Sequence, residues 1–151
     1  MKKRKLKQFL ITIATLSATA AVNYSLMNNP FVFVVILILF AHELGHYFVA
    51  KLHDGDPDLP YLIPFPLLIV GITRIRNMRI LSNNSKRKIL FYGPFVGFIS
   101  SIMLLILSYL FFPVFVFPLA IMATAEVILN YFGSDGKKYR MYKEQDTFVC
   151  I

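Results

Sequence analysis

Apolar residues fall in long blocks along this chain, separated by short polar or basic interruptions, and the block lengths predict the elements. A helix that crosses a bilayer needs about 20 mainly apolar residues, within a range of about 17–25. Four blocks reach that range: residues 8–27, weakly apolar and rich in Thr, Ser and Ala; residues 30–52, which open with the unbroken run Phe31 to Ala41; residues 89–112; and residues 114–132. Pro30 suits the first turn of the second helix, where a missing N–H costs nothing. Phe112 and Pro113 make a tight corner between the third and fourth blocks. The first block, with its basic start and Ala18-Thr19-Ala20, also matches a cleavable signal peptide. Retention as a span is the better reading, because only Asn28 and Asn29 separate it from the next block.

Between the second and third blocks the pattern changes. Residues 54–71 hold Pro57, Pro60, Pro64 and Pro66, each of which removes a backbone donor and resists helix. The apolar part, Leu59 to Gly71, is too short to cross, and predicts a proline-rich re-entrant loop, a form tolerated where protein or a wet cavity satisfies the backbone. Ile72 to Ile80 alternates arginines with apolar residues and predicts an amphipathic strand or interfacial segment, with room for a short membrane-associated β-hairpin. Leu81 to Ser85 reads as a polar turn. Gly93, Gly97 and Ser101 form a small-residue face that close helix packing explains, and Pro94 is expected to loosen the start of the third span by freeing the carbonyl near Leu90. The fold class is an all-α polytopic membrane protein, a single membrane-embedded domain over residues 1–151 with four spans, an interfacial segment at 54–80 and a basic tail at 137–151.

Composition supports this. Of 151 residues, 57% are hydrophobic and 16% charged, against about 45–50% apolar and about 25% charged in soluble domains. A single cysteine, Cys150, excludes a disulfide framework and a Cys-based metal cluster. The net charge of +8 could suggest nucleic acid, but the 16 Lys and Arg flank the apolar blocks, with Lys51 at the very end of the second. That placement argues against a nucleic-acid partner and for the lipid bilayer. By the positive-inside rule it puts both termini and the central loop in the cytoplasm, with the cell (plasma or inner) membrane as the expected location.

The chemistry sits in the second block, at His42-Glu43-Leu44-Gly45-His46. Residues four apart share a helix face, so both imidazoles can reach one metal. Glu43 is adjacent and placed to take a proton from water at that metal. Two imidazoles and a carboxylate suit one Zn2+ per chain and leave a position open. A charged side chain inside a span costs about 2.5–3.5 kcal/mol on insertion scales, so a solvated helix face does not explain Glu43. His53, at the interface after Lys51, reads as an ordinary surface histidine.

Two carboxylates compete to be the third ligand. Glu126 lies inside the fourth block, about 16 Å deep by helix rise, against about 14 and 8 Å for His42 and His46 and about 3 Å for Asp135. Depth therefore favours Glu126. Gly133 and Gly136, flanking Asp135, would permit an unwound, inward-bent segment that favours Asp135 instead. The residues alone leave both open.

Three motifs in order resemble the site-2 protease family of intramembrane zinc metalloproteases: His42 to His46, then Gly93-Pro94-Phe95-Val96-Gly97, then Asn130 to Gly136. The proline-rich Leu59 to Pro64 resembles the membrane-embedded loop of some members. The resemblance covers about Pro30 to Gly136. It implies that His42, His46 and Asp135 are zinc ligands, Glu43 the catalytic acid and base, and Asn130 a residue that positions an extended substrate strand. The family pattern reads Leu-Asp-Gly-Gly with a proline shortly before; here Ser134 replaces the Leu, Lys137 the second Gly, and that proline is missing. Glu126 stays as the rival ligand, as in gluzincin-like membrane proteases.

The expected activity is a zinc metalloendopeptidase that hydrolyses peptide bonds of a transmembrane or membrane-proximal protein or peptide substrate, as in regulated intramembrane proteolysis. Two other classes predict different behaviour. A zinc-binding membrane interaction protein that has lost proteolysis cleaves no single-span test substrate. A small transporter with a metal site moves its substrate even when Glu43 is replaced by Gln.

Overall fold

The computed structural model describes residues 2–65 and 68–149, and the side chains of these except residues 2, 3, 27, 65, 68, 129–131 and 144–149. The chain is mostly helical. It runs α1 (Lys2–Met27), α2 (Phe31–Leu52), strands β1 (Tyr61–Phe65) and β2 (Leu68–Ile72), α3 (Asn83–Phe111), a 3-10 turn at Pro113–Phe115, α4 (Val116–Phe132) and α5 (Ser134–Val149). Among the described residues, α1, α2 and α3 contain helices long and apolar enough to cross a membrane; the fourth apolar stretch, Pro113–Ile128, is shorter. Large apolar side chains such as Phe117 and Tyr109, each about three-quarters exposed, stud the outside of α3 and α4. Apolar surface on this scale marks a lipid-facing or otherwise covered exterior.

The helix ends follow local chemistry. Asn28, with φ of 45°, closes α1 and reverses the chain, as asparagine can in the left-handed region. The Asn29 side chain then accepts the Phe31 N–H at 2.9 Å as α2 begins. Ser82 caps α3, its Oγ accepting from the Ser85 N–H. The polar turn expected at Leu81 to Ser85 is thus shorter than its composition suggested: its Ser and Asn residues are a helix start, and α3 begins at Asn83. Pro94 is buried within α3 without ending it, so the loosening expected there does not break the helix.

The segment expected to be a re-entrant loop contains an antiparallel hairpin, with Leu62 opposite Gly71 and Pro64 opposite Ile69. The strand lies earlier than the arginine alternation implied. β2 ends at Ile72, and beyond it only Ile75 makes an isolated bridge, to Pro57. Pro64 is tolerated because a two-stranded sheet is all edge. Pro66 lies outside the described residues. Buried Leu62 joins Val32 and Ile36 in a core cluster, with Leu16, Ala20 and Ile69 packed around it, so α1, α2 and the hairpin share one apolar seam.

A polar latch holds the base of the hairpin. The buried Asp58 carboxylate accepts from Arg4 Nη2 at 2.8 Å and from Arg76 through both Nε and Nη2. Gln8 Nε2 also donates to it, and Thr12 donates to the Pro60 carbonyl at 2.8 Å. The start of α1 is thereby tied to the chain ahead of the hairpin, and Asp58 carries the link on to Arg76 beyond it. On the other flank α3 packs against α2, α4 and α5. The basic tail expected from residue 137 is part of the helix α5, which starts one residue after α4 ends, across Gly133.

Candidate metal centre and active site

His42 and His46 project from one face of α2, their ring centroids 5.1 Å apart. Each ring is held through Nδ1. For His42 the partner is Glu126 Oε2 on α4 at 2.9 Å; for His46 it is the Ile89 carbonyl on α3 at 2.7 Å. A carbonyl can only accept, so His46 Nδ1 carries the proton and, in the neutral ring, Nε2 presents a lone pair. The carboxylate on His42 favours the same tautomer.

Both Nε2 atoms face Asp135 in the first turn of α5, whose Oδ2 lies 3.1 Å from His46 Nε2 and 3.5 Å from His42 Nε2. A ligand atom from each of the three residues falls within 4.8 Å of the others. Two imidazole lone pairs facing a carboxylate repel one another unless a cation sits between them, and either a proton or a metal ion meets that need. In the protonated form burial works against charged Asp135, yet the contacts from His42 and His46 outweigh it and hold the carboxyl well below the usual range. Two imidazoles and a carboxylate converging in this way fit zinc, which takes N and O donors and keeps an open position when three of them are protein groups.

Asp135 reaches this level because the single-residue break at Gly133 lets α5 turn back against α3. The Lys137 N–H bonds to the Gly133 carbonyl at 3.0 Å, so the bend and the new helix share one residue. Glu126 is 3% exposed and accepts from His42 on the side away from Asp135. Depth along a straight helix had favoured Glu126 as a ligand, whereas the structure brings Asp135 to both Nε2 atoms and Glu126 to Nδ1. The inward bend is a helix start, not an extended unwound segment.

Glu43 lines the same cleft on the hairpin side. A methyl group at Gly71 of β2 would come within 2.7 Å of its Oε1. The Thr73 hydroxyl donates to the Glu43 carbonyl at 3.0 Å, pinning the end of the hairpin to α2. Among the described residues none donates a hydrogen bond to the Glu43 carboxylate, and the side chain lines the cleft. The cleft, about 540 Å³, is bounded by His42, Glu43, His46 and Asp135 on one side and by consecutive β2 residues on the other.

Three contributors were missed or undervalued in the sequence. Gly93 and Gly97 do provide close packing, and what they admit is the site itself: a methyl at 93 would overlap the His46 ring, and one at 97 would lie 2.8 Å from the Glu126 carboxylate carbon. Their spacing was the available signal. The Ile89 carbonyl carries no sequence signal at all. Asn130 lies on α4 but its side chain is outside the described residues.

A family model agrees with this constellation. Peptidase family M50 matches residues 30–139, from the start of α2 into α5. The chain belongs to that family, the site-2 proteases. Membership makes it a metalloprotease of the membrane, in keeping with its long apolar helices. No curated protein and no solved structure matches the chain.

Proposed function

We propose that this M50 chain is an intramembrane zinc endopeptidase that cleaves transmembrane or membrane-proximal segments, the chemistry used in regulated intramembrane proteolysis. The observation that carries the reading is the convergence of His42 Nε2, His46 Nε2 and Asp135 Oδ2 in a cleft that Glu43 also lines. His42, His46 and Asp135 hold one zinc ion per chain in this account. Zinc bound there supplies Lewis acidity, activating water near neutral pH and polarising a carbonyl.

The remaining work falls to the protein's own groups. Glu43 takes the proton from the attacking water and returns it to the leaving amine. Glu126 and the Ile89 carbonyl hold the two imidazoles in the tautomer that presents Nε2. A substrate helix must unwind before its carbonyls can be attacked, and β2 offers an edge along the cleft on which an extended segment adds as a strand. Asn130 helps to hold that strand. Both termini and the basic loops face the cytoplasm of the cell membrane, with α4 as the fourth crossing and water entering from the cytoplasmic end.

Glu43→Gln tests the proposal. The variant is expected to retain zinc and to lose cleavage of a co-expressed single-span substrate. Turnover by that variant at the wild-type rate would remove Glu43 from the chemistry.

A further inference from the structure

The first two turns of α5 put Asp135, Lys138 and Tyr142 on one face at i, i+3 and i+7, and all three line the cleft. Lys138 is the one Lys or Arg among the described residues that line it. The acidic groups there already have work to do: Glu126 holds His42, Asp135 faces both imidazoles, and Glu43 is the proposed base. Several nearby cations are engaged as well, and Arg74, Lys88 and Lys137 do not line the cleft. Arg76 is paired with Asp58, Lys86 sits 5.1 Å over the Tyr142 ring, and Arg87, Arg140 and Lys143 have partners. Lys138 makes no ion pair or hydrogen bond with the described residues. Its neighbour Tyr142, braced by Lys86, walls the same end of the cleft.

We infer that Lys138 is a specificity-determining residue that binds a substrate carboxylate close to the cleaved bond. This rests on the proposed protease reading and goes beyond it in naming the substrate chemistry. Three residues of helix separate Lys138 from Asp135, about 4.5 Å along the axis, and the lysine stem is long and flexible. An extended substrate advances about 3.3 Å per residue, so the carboxylate lies within about two residues of the scissile bond. An acidic side chain or a free C-terminal carboxylate supplies the same chemistry.

The test uses the full chain and a synthetic single-span peptide whose cleaved bond is mapped by mass spectrometry. Gln is replaced by Glu at each position within two residues of that bond, and a second peptide pair, truncated two residues past the bond, ends in an acid or in an amide. In the wild type one Glu peptide is expected to show a roughly five- to tenfold higher kcat/KM, expressed mainly in KM. Lys138→Gln should bring the Glu/Gln ratio to about one, Lys138→Arg should preserve it, and Lys138→Glu should favour a Lys-bearing peptide. A gain that follows the terminal acid instead, and is lost in Lys138→Gln, assigns the same site to a chain terminus. A wild-type ratio of one for both carboxylates, or a ratio unchanged in Lys138→Gln, overturns the inference. Peptide binding to Glu43→Gln, with and without Lys138→Gln, reads the same preference by fluorescence anisotropy with Glu scanned along the whole peptide, which needs no cleavage, so the two proposals fail separately.

Discussion

Glu126 Oε2 lies 2.9 Å from His42 Nδ1, and both groups are largely withdrawn from solvent. The carboxylate thereby sets which imidazole nitrogen is free, and through it the orientation of the ring toward Asp135. Carboxylates that act on a metal ligand in this way typically account for about 10–100-fold in metal affinity. Glu126→Gln is therefore expected to weaken zinc binding by roughly that factor without abolishing it, whereas Asp135→Ala should leave no tight zinc. Competition with a chromogenic chelator reads both. Equal loss in the two variants would give Glu126 a ligand's role.

The packing of α3 makes a second, steric prediction. Gly93→Ala pushes a methyl into the His46 ring, and Gly97→Ala presses on the Glu126 carboxylate. Both variants should still reach the membrane, with zinc affinity falling more steeply for the first, because His46 touches Asp135 directly. Zinc content normalised to folded protein, judged by monodisperse elution in detergent, checks this. Wild-type affinity in Gly93→Ala would mean that α2 and α3 do not meet as closely as described.

The Asp58 latch predicts a pH dependence. Burial pushes the Asp58 carboxyl up, but the hydrogen bonds and charges of Arg76 and Arg4 outweigh it and hold it below its ordinary value. A folded pKa below the unfolded one stabilises fully above the unfolded value, about 3.9, and the contribution fades as pH falls through the folded value. Asp58→Asn is thus expected to cost about 1–3 kcal/mol at pH 7. Thermal unfolding in detergent should show the gap between variant and wild type closing below about pH 4. A gap that stays constant down to pH 3 would mean the carboxylate's charge is not what holds the hairpin.

Much of this arrangement is legible in the residues themselves, and the limits have physical causes. His42, Glu43 and His46 are legible because the i, i+4 relation is local: once α2 is a helix, both rings share a face. The first three long helices follow from block length alone. Asp135 was ambiguous because depth was counted along a straight helix, while Gly133 lets the chain bend and start α5. The strand is expected at Ile72 to Ile80, later than β2, because the arginines of residues 74–79 alternate as a strand would. In the structure Arg76 is drawn to Asp58, a partner 18 residues away in sequence. The roles of Glu126 and the Ile89 carbonyl depend on which nitrogen each histidine turns toward its neighbour, and no one-dimensional pattern records that.

The account stands most directly on the metal. Zinc per chain, measured by mass spectrometry on protein purified in detergent, should be close to one for the wild type and for Glu43→Gln, and close to zero for His42→Ala, His46→Ala and Asp135→Ala. A wild-type protein that carries no stoichiometric zinc after growth in zinc-replete medium, or an Asp135→Ala variant that carries as much as the wild type, would contradict it.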